Sequence, residues 1–169
     1  MKIDRIGHAA FHCTDVQKSI AFYETVFGCR VKFALNYGYL IDYFAKQQGI
    51  DPEKTDDPRM QKLLLQREKV WLTYLECGDG FFFELFDSAS SELAPNMAQF
   101  TGYQHMAIMV SDIQAAYHEL SDKNVPIDAP PALGPDHTWQ FWITDPDGNR
   151  FEFMQYTPLS MQIIGLSEN

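Results

Sequence analysis

The chain has 169 residues, enough to bury a core without disulfide help and short enough for one domain or two small halves. Its formal net charge of -10, from 23 acidic against 13 basic residues, excludes a phosphate-backbone binder, whose affinity needs clustered Lys and Arg. Cys13, Cys29 and Cys77 are odd in number and lack any CxxC pair, and no stretch approaches a membrane span. A reduced cytoplasmic protein with three thiols and no nucleic-acid or membrane partner is therefore expected.

In chain order, MKIDRIGHAAFHC has no apolar run long enough for a secretory h-region. The segment GHAAFHCTDVQ (7–17) reads as a strand ending in a helix start, with Thr14 and Gln17 at the spacing of a capping box. A helix is expected from about Asp15 to Phe27, with Val16, Ile20, Tyr23 and Phe27 on one face and Gly28 as its stop. The stretch from about Asn36 to Lys69 is too long for a plain loop. It reads as two short helices broken at Gly49-Ile50-Asp51-Pro52, and is either a surface elaboration or a wall of a substrate pocket. WLTYLECGDGFFFELF (71–86) then reads as a β-hairpin around ECGDG.

These features recur. QHMAIMVSDIQ (104–114) lies on GHAAFHCTDVQ without a gap, so that His105 falls on His8, Ala107 on Ala10 and Asp112 on Asp15. Ser111 and Gln114 repeat the cap spacing, and a second helix is expected from about Asp112 to Lys123, carrying Ile113, Tyr117 and Leu120 and ending at Asn124. WQFWITDPDGNRFEFM (139–154) lies on the first hairpin and matches Trp139 with Trp71, Asp147 with Asp79 and Glu152 with Glu84. A βαβββ unit used twice is the expected fold, α+β in class, with a first module over 1–95 holding the helical insertion at 36–69 and a second over 96–169. From His8 to Glu84 is 76 positions and from His105 to Glu152 is 47, which locates about 29 extra residues in the first module. The tail SMQIIGLSEN is apolar until its end and either docks on a partner subunit or covers the sheet.

Both modules place a His in the first strand and a Glu in the last. Glu84 stands among Phe82, Phe83, Leu85 and Phe86, and Glu152 between Phe151 and Phe153. A carboxylate in such company is costly to bury unpaired. Pairs His8/Glu84 and His105/Glu152, brought together by a pseudo-twofold axis, would give two nitrogens and two oxygens for one divalent transition metal, and the cation would offset the buried charge. For a single copy, a packed His and a solvent-facing Glu would be the better reading; two copies in register favour the metal. Ni, Co, Zn, Mn and Fe all suit such a donor set.

The pattern resembles the vicinal oxygen chelate superfamily, which includes glyoxalase I, methylmalonyl-CoA epimerase, extradiol dioxygenases, fosfomycin-resistance enzymes and bleomycin-binding proteins. HAAFHCTDVQKSIAFYETVFG and ITDPDGNRFEFMQ carry the resemblance most strongly. It implies paired βαβββ modules forming a sheet cup around the metal, and the order His8, Glu84, His105, Glu152 is similar to that of bacterial-type glyoxalase I. By that similarity Glu152 is the catalytic base and Glu84 its counterpart, and the reaction is isomerisation, through an enediolate, of a hemithioacetal made from a 2-oxoaldehyde and a thiol, formally a carbon–sulfur lyase reaction. Relatives that use glutathione commonly carry Arg and Asn where this chain has His12 and Ser88, which speaks against glutathione as the thiol.

His12 shares the face of His8, so it either lines the pocket or packs as a satisfied histidine. His137 and Trp139 enter the third strand of the second module and are candidate substrate contacts, although the match of Trp139 with Trp71 favours packing for the tryptophans; His118, mid-helix, has no assigned role. The alternatives are another enzyme of the superfamily, an epimerase or a dioxygenase, and a metal-free protein that binds a drug-like ligand. A small-molecule substrate is expected, and a homodimer is the preferred assembly.

Overall fold

The computed structural model describes residues 6–78, 80–88 and 103–165. The chain divides into two compact units, Met1–Glu92 and Leu93–Asn169. The expected boundary after residue 95, Asp79 and the last four residues of the tail lie outside the described residues. Among those described, no helix is long and apolar enough to cross a membrane.

The first unit runs β1 (His8–Cys13), α1 (Val16–Phe27), β2 (Arg30–Asn36), α2 (Tyr37–Gln48), a 3-10 turn at Pro52–Lys54, α3 (Pro58–Leu64), β3 (Val70–Glu76) and β4 (Phe82–Asp87). Its sheet has the order β1-β4-β3-β2, with β1 parallel to β4 and the other pairs antiparallel. The second unit repeats this with β5 (Met106–Met109), α4 (Ile113–Asp122), β6 (Ala132–Leu133), β7 (Trp139–Thr144) and β8 (Arg150–Gln155), in the order β5-β8-β7-β6, followed by α5 (Met161–Ile164). The duplicated βαβββ fold expected from the sequence is thus present in both units.

Strand alternation fixes the two faces of each sheet. On the helix side of the first unit, Phe11, Leu75, Phe83 and Leu85 are buried with Tyr23 of α1, whose ring centroid lies 4.6 Å from that of Phe83. The helix turns Val16, Ser19, Tyr23 and Val26 inward; Ile20 and Phe27 are half-buried, so the buried stripe is rotated from the expected one. Buried Ser19 is satisfied by donating its hydroxyl to the Asp15 carbonyl at 3.3 Å. The other face carries His8, Ala10, His12, Glu84 and Phe86, together with the buried Leu72. In the second unit Phe141, Ile143, Phe151 and Phe153 form the helix-side core with Ile113 and Leu120, which leaves His105, Ala107, Gln140, Trp142 and Glu152 on the opposite face.

The helix starts lie one residue beyond the expected caps. Asp15, extended at φ -141°, accepts from the Lys18 N–H, and Asp112 accepts from the Gln114 and Ala115 N–H groups at 3.0 and 2.9 Å. A carboxylate placed there receives the unsatisfied first-turn donors and opposes the helix dipole better than a hydroxyl does. Asp112→Ala is therefore expected to cost about 1 kcal/mol in urea unfolding, and Ser111→Ala clearly less; the reverse order would return the cap to Ser111. Gly28 closes α1 at φ +64° and its N–H reaches the Glu24 carbonyl.

The 36–69 stretch forms two helices. Asn36 ends β2 and caps α2 by accepting from the Tyr39 N–H. The return leg is tied back by the Gly38 N–H to Arg67 carbonyl bond at 2.8 Å and by an Arg67–Asp42 ion pair at 2.8 Å. At Gly38 a Cβ would meet the Arg67 carbonyl at 3.2 Å, tighter than ordinary contact, so a larger residue would push the return leg back by a few tenths of an ångström.

The expectation of three reduced thiols is corrected by this structure. Cys29 and Cys77 form a disulfide across β2 and β3, with Cα atoms 4.3 Å apart. The antiparallel register that sets Arg30 opposite Glu76 brings the two preceding and following residues together. The spacing of 48 residues, most of it the helical insertion, hides this pairing in the sequence. Cys13 stays outside the bond, buried in β1.

Candidate functional site

In the first unit the parallel register sets Ala10 opposite Glu84, so His8 stands one alternation before the carboxylate on the same face. The His8 Nε2 to Glu84 Oε2 distance is 3.5 Å. In the second unit Ala107 is opposite Glu152, and His105 Nε2 lies 3.3 Å from Glu152 Oε2. The carboxylates are the enclosed members, 14% and 12% exposed, and the imidazoles are the open ones, at 49% and 30%. Each unit by itself thus repeats one donor pair in one geometry.

The strand beside each glutamate supplies an aromatic partner that sequence reading missed. Tyr74 is opposite Glu84 on β3 and Trp142 opposite Glu152 on β7. Tyr74 meets His8 edge-on at 5.9 Å, and Trp142 meets His105 edge-on at 4.8 Å. Burial, and then its hydrogen bond to the Glu84 carboxylate, push the Tyr74 phenol above its ordinary pKa. Arg150 lies over the Trp142 ring at 4.4 Å and pairs with Asp128 at 3.2 Å. The matched hairpins already align Tyr74 with Trp142, which is the signal that would have found this pair.

Burial raises the pKa of Glu152 above the ordinary carboxylate value; the nearby His105 works against this and the charge of Asp136 adds to it. Asp136 is a second residue that sequence reading missed. It sits in the turn before β7, accepts from the Thr138 N–H at 3.2 Å and takes a hydrogen bond from the Gln162 amide of α5. A Cβ at Gly134 would come within 2.8 Å of its carboxylate and 2.6 Å of the Gln140 amide, so glycine lets the turn close over them.

The candidate substrate contacts separate. His12 lies on the face of His8 and Glu84, with Nδ1 2.7 Å from Ser88 Oγ and its ring against Phe86. His137 is exposed in the same turn as Asp136 at φ +59°, and its carbonyl accepts from the Thr157 and Ser160 hydroxyls at 2.8 and 3.0 Å. Trp139 shares the helix-side face with Phe141 and Ile143 and is opposite Gln155, so it is turned away from Glu152. Trp71, its sequence match, occupies a bulge of β3 and edges Phe86 at 5.8 Å.

The donor chemistry fits a divalent transition ion. Nitrogen and oxygen ligands each about 2.0–2.2 Å from such an ion stand about 3.0–3.5 Å apart when adjacent in its coordination shell, which matches both His–Glu separations. The Tyr74 hydrogen bond to Glu84 is an outer-shell contact of the kind that orients a ligating carboxylate. Among the described residues, no group of three or more His, Cys, Asp or Glu side chains is placed to hold a metal. Each pair alone supplies two donors, fewer than a metal site of this kind uses.

A family model described as the Glyoxalase/Bleomycin resistance protein/Dioxygenase superfamily matches residues 5–153. Among solved structures, the chain is similar to a glyoxalase family protein from Enterococcus faecalis, with 20% identity, a TM-score of 0.64, and 91% of this chain and 99% of that chain covered. It is also similar to a lactoylglutathione lyase from Agrobacterium tumefaciens, with 18% identity, a TM-score of 0.56 and 92% and 96% covered. A fosfomycin resistance protein from Listeria monocytogenes matches at 12% identity and a TM-score of 0.55, with 93% and 97% covered. At these identities the likeness is one of fold. No curated protein matches the sequence.

Proposed function

The chain belongs to the Glyoxalase/Bleomycin resistance protein/Dioxygenase superfamily, and from that premise we propose a metal-dependent lyase or isomerase of glyoxalase I type, acting on the hemithioacetal of a 2-oxoaldehyde. The observation that carries this reading is the recurrence of one His–Glu pair, in one register and at 3.5 and 3.3 Å, in both units. His8, Glu84, His105 and Glu152 would hold a single divalent ion shared between the units of one chain or of two chains in a homodimer. Such an ion, when bound, supplies a Lewis acid for two adjacent substrate oxygens.

The chain's own residues do the rest. Glu152, enclosed and of raised proton affinity, takes the proton from the carbon beside the substrate carbonyl and returns it to the neighbouring carbon. Glu84 is its counterpart, steadied by Tyr74. Tyr74 and Trp142 hold the imidazoles edge-on. A metal-free ligand-binding role would leave two enclosed carboxylates without a cation, which their cost of burial disfavours.

Elemental analysis of the purified protein beside His8→Ala and His105→Ala tests the shared ion. About one divalent metal per chain is expected in the wild type, with nearly all of it lost in either variant, since one ion needs both pairs. Metal retained at about half in each variant would separate the pairs into independent sites, and a wild type that binds none would end the reading.

A further inference from the structure

The Cys29–Cys77 bond stands at the start of a path that ends at Glu84. β2 is the edge strand of its sheet, bonded to β3 on one side, and its first five residues are exposed. From the disulfide, β2 takes four steps to reach Phe33 and β3 three to reach Tyr74; the extra residue is Lys32, which has no partner in the ladder. Phe33 and Tyr74 are opposite one another, and their rings stack at 4.8 Å with 18° between the planes. His8 and Phe82 meet the Tyr74 ring edge-on at 5.9 and 6.0 Å, and its phenol is hydrogen-bonded to Glu84. Phe33 thus covers a face of the ring that steadies the enclosed carboxylate.

An edge strand interrupted by a bulge is among the first parts of a sheet to open. Beside its ladder, the start of β2 is held by the disulfide and by the Lys32–Glu76 ion pair at 3.0 Å, an exposed contact of little strength. The two sulfurs are unequal. Cys29 is 2% exposed, whereas Cys77 is half-buried and followed by the exposed Gly78. An incoming thiolate therefore reaches the Cys77 sulfur more readily. Its attack breaks the S–S bond, and Cys29 leaves as a thiolate that takes up a proton. The second thiol of a dithiol then displaces Cys77, so the reagent ends as its own disulfide and the protein has gained two electrons and two protons.

We propose that the Cys29–Cys77 bond is a redox switch on the Glu84 half of the site, opened by a dithiol reductant. The oxidised bond holds β2 against β3 and Phe33 on Tyr74; its reduction frees the start of β2 through the bulge, loosens the stack and leaves Tyr74 and Glu84 less firmly placed. This deepens the proposed function and rests on it, since Glu84 is a metal ligand only on that reading.

The full chain is compared in metal-free form, oxidised and after reduction by dithiothreitol that is then removed without air. Graded mixtures of dithiothreitol and its cyclic disulfide should convert both cysteines together in one two-electron transition of the folded protein. In the reduced form, amide exchange over β2 and over Tyr74 to Glu76 should quicken by about tenfold or more, while β1 and β4 keep their protection. The Tyr74 ring signals in NMR should move toward those of oxidised Phe33→Ala. Zinc should bind about tenfold more weakly to the reduced form, the usual worth of an outer-shell partner, and Phe33→Ala should remove most of that difference. A bond reduced only on unfolding, exchange that quickens equally in β1 and β4, Tyr74 signals that reduction leaves in place, or equal zinc affinity in the two forms would overturn the switch. Failure of the shared metal registers separately, in the elemental analysis, whereas the exchange rates and ring signals are read without any metal.

Discussion

Glu152→Gln is expected to lower turnover of a methylglyoxal hemithioacetal by about 10²–10⁴-fold, the usual contribution of a positioned base, and to make the metal-free protein more stable at neutral pH. The first effect follows from removing the carboxylate proposed as the proton acceptor. The second follows from burial, which raises Glu152 above its ordinary value of 4.5, with His105 opposing and Asp136 adding to the rise. A carboxyl whose pKa is raised by folding favours the folded state while protonated, and that contribution is lost as pH rises through the folded value. At pH 7 the ionised group therefore counts against the metal-free fold, and the neutral amide of similar shape removes that burden. Below the ordinary carboxylate range both side chains are neutral and the difference should vanish. A cation bound at the pair reverses the sign, so chelator should destabilise the wild type more than the variant. Melting curves at acid and neutral pH, with and without chelator, read all of this; full activity in the variant would remove Glu152 from the chemistry, and a less stable metal-free variant at pH 7 would remove the burial argument.

Cys29→Ser with Cys77→Ser is expected to destabilise the first unit by about 4 kcal/mol, the chain-entropy value for closing a loop of this length. The bond spans 48 residues and joins the ends of β2 and β3 away from the helical insertion, so it closes the base of the segment that carries α2 and α3. At the other end the leg is tied by hydrogen bonds and the Arg67–Asp42 pair, with Ile41 and Ala45 of α2 buried. Urea unfolding with and without reductant measures the effect. Thiol titration of the unfolded, unreduced protein should find one thiol, Cys13; three would dissolve the bond and with it the predicted loss.

Much of the fold could be read because the two copies keep one register through their first strands and last hairpins. His8 over His105 and Glu84 over Glu152 are visible in an ungapped comparison, and strand period alone puts each His on one face. That the first and last strands of a unit are hydrogen-bonded neighbours, which makes pairs of these residues, is a matter of topology that no local pattern encodes. The caps were displaced by one residue because Thr14 and Ser111 satisfy the spacing rule while Asp15 and Asp112 supply the stronger acceptor. The disulfide was hidden because β2 has seven residues and its counterpart β6 only two, so the segment that leads from Cys29 into β2 has no repeat to reveal it. Asp136 was missed for a related reason: a turn closed on Gly134 has no periodicity to read.

Both members of each His–Glu pair hang on strands that are hydrogen-bonded to each other within one unit. Each proposed ligand pair is therefore complete within its own unit, and its geometry depends on the folding of that unit alone.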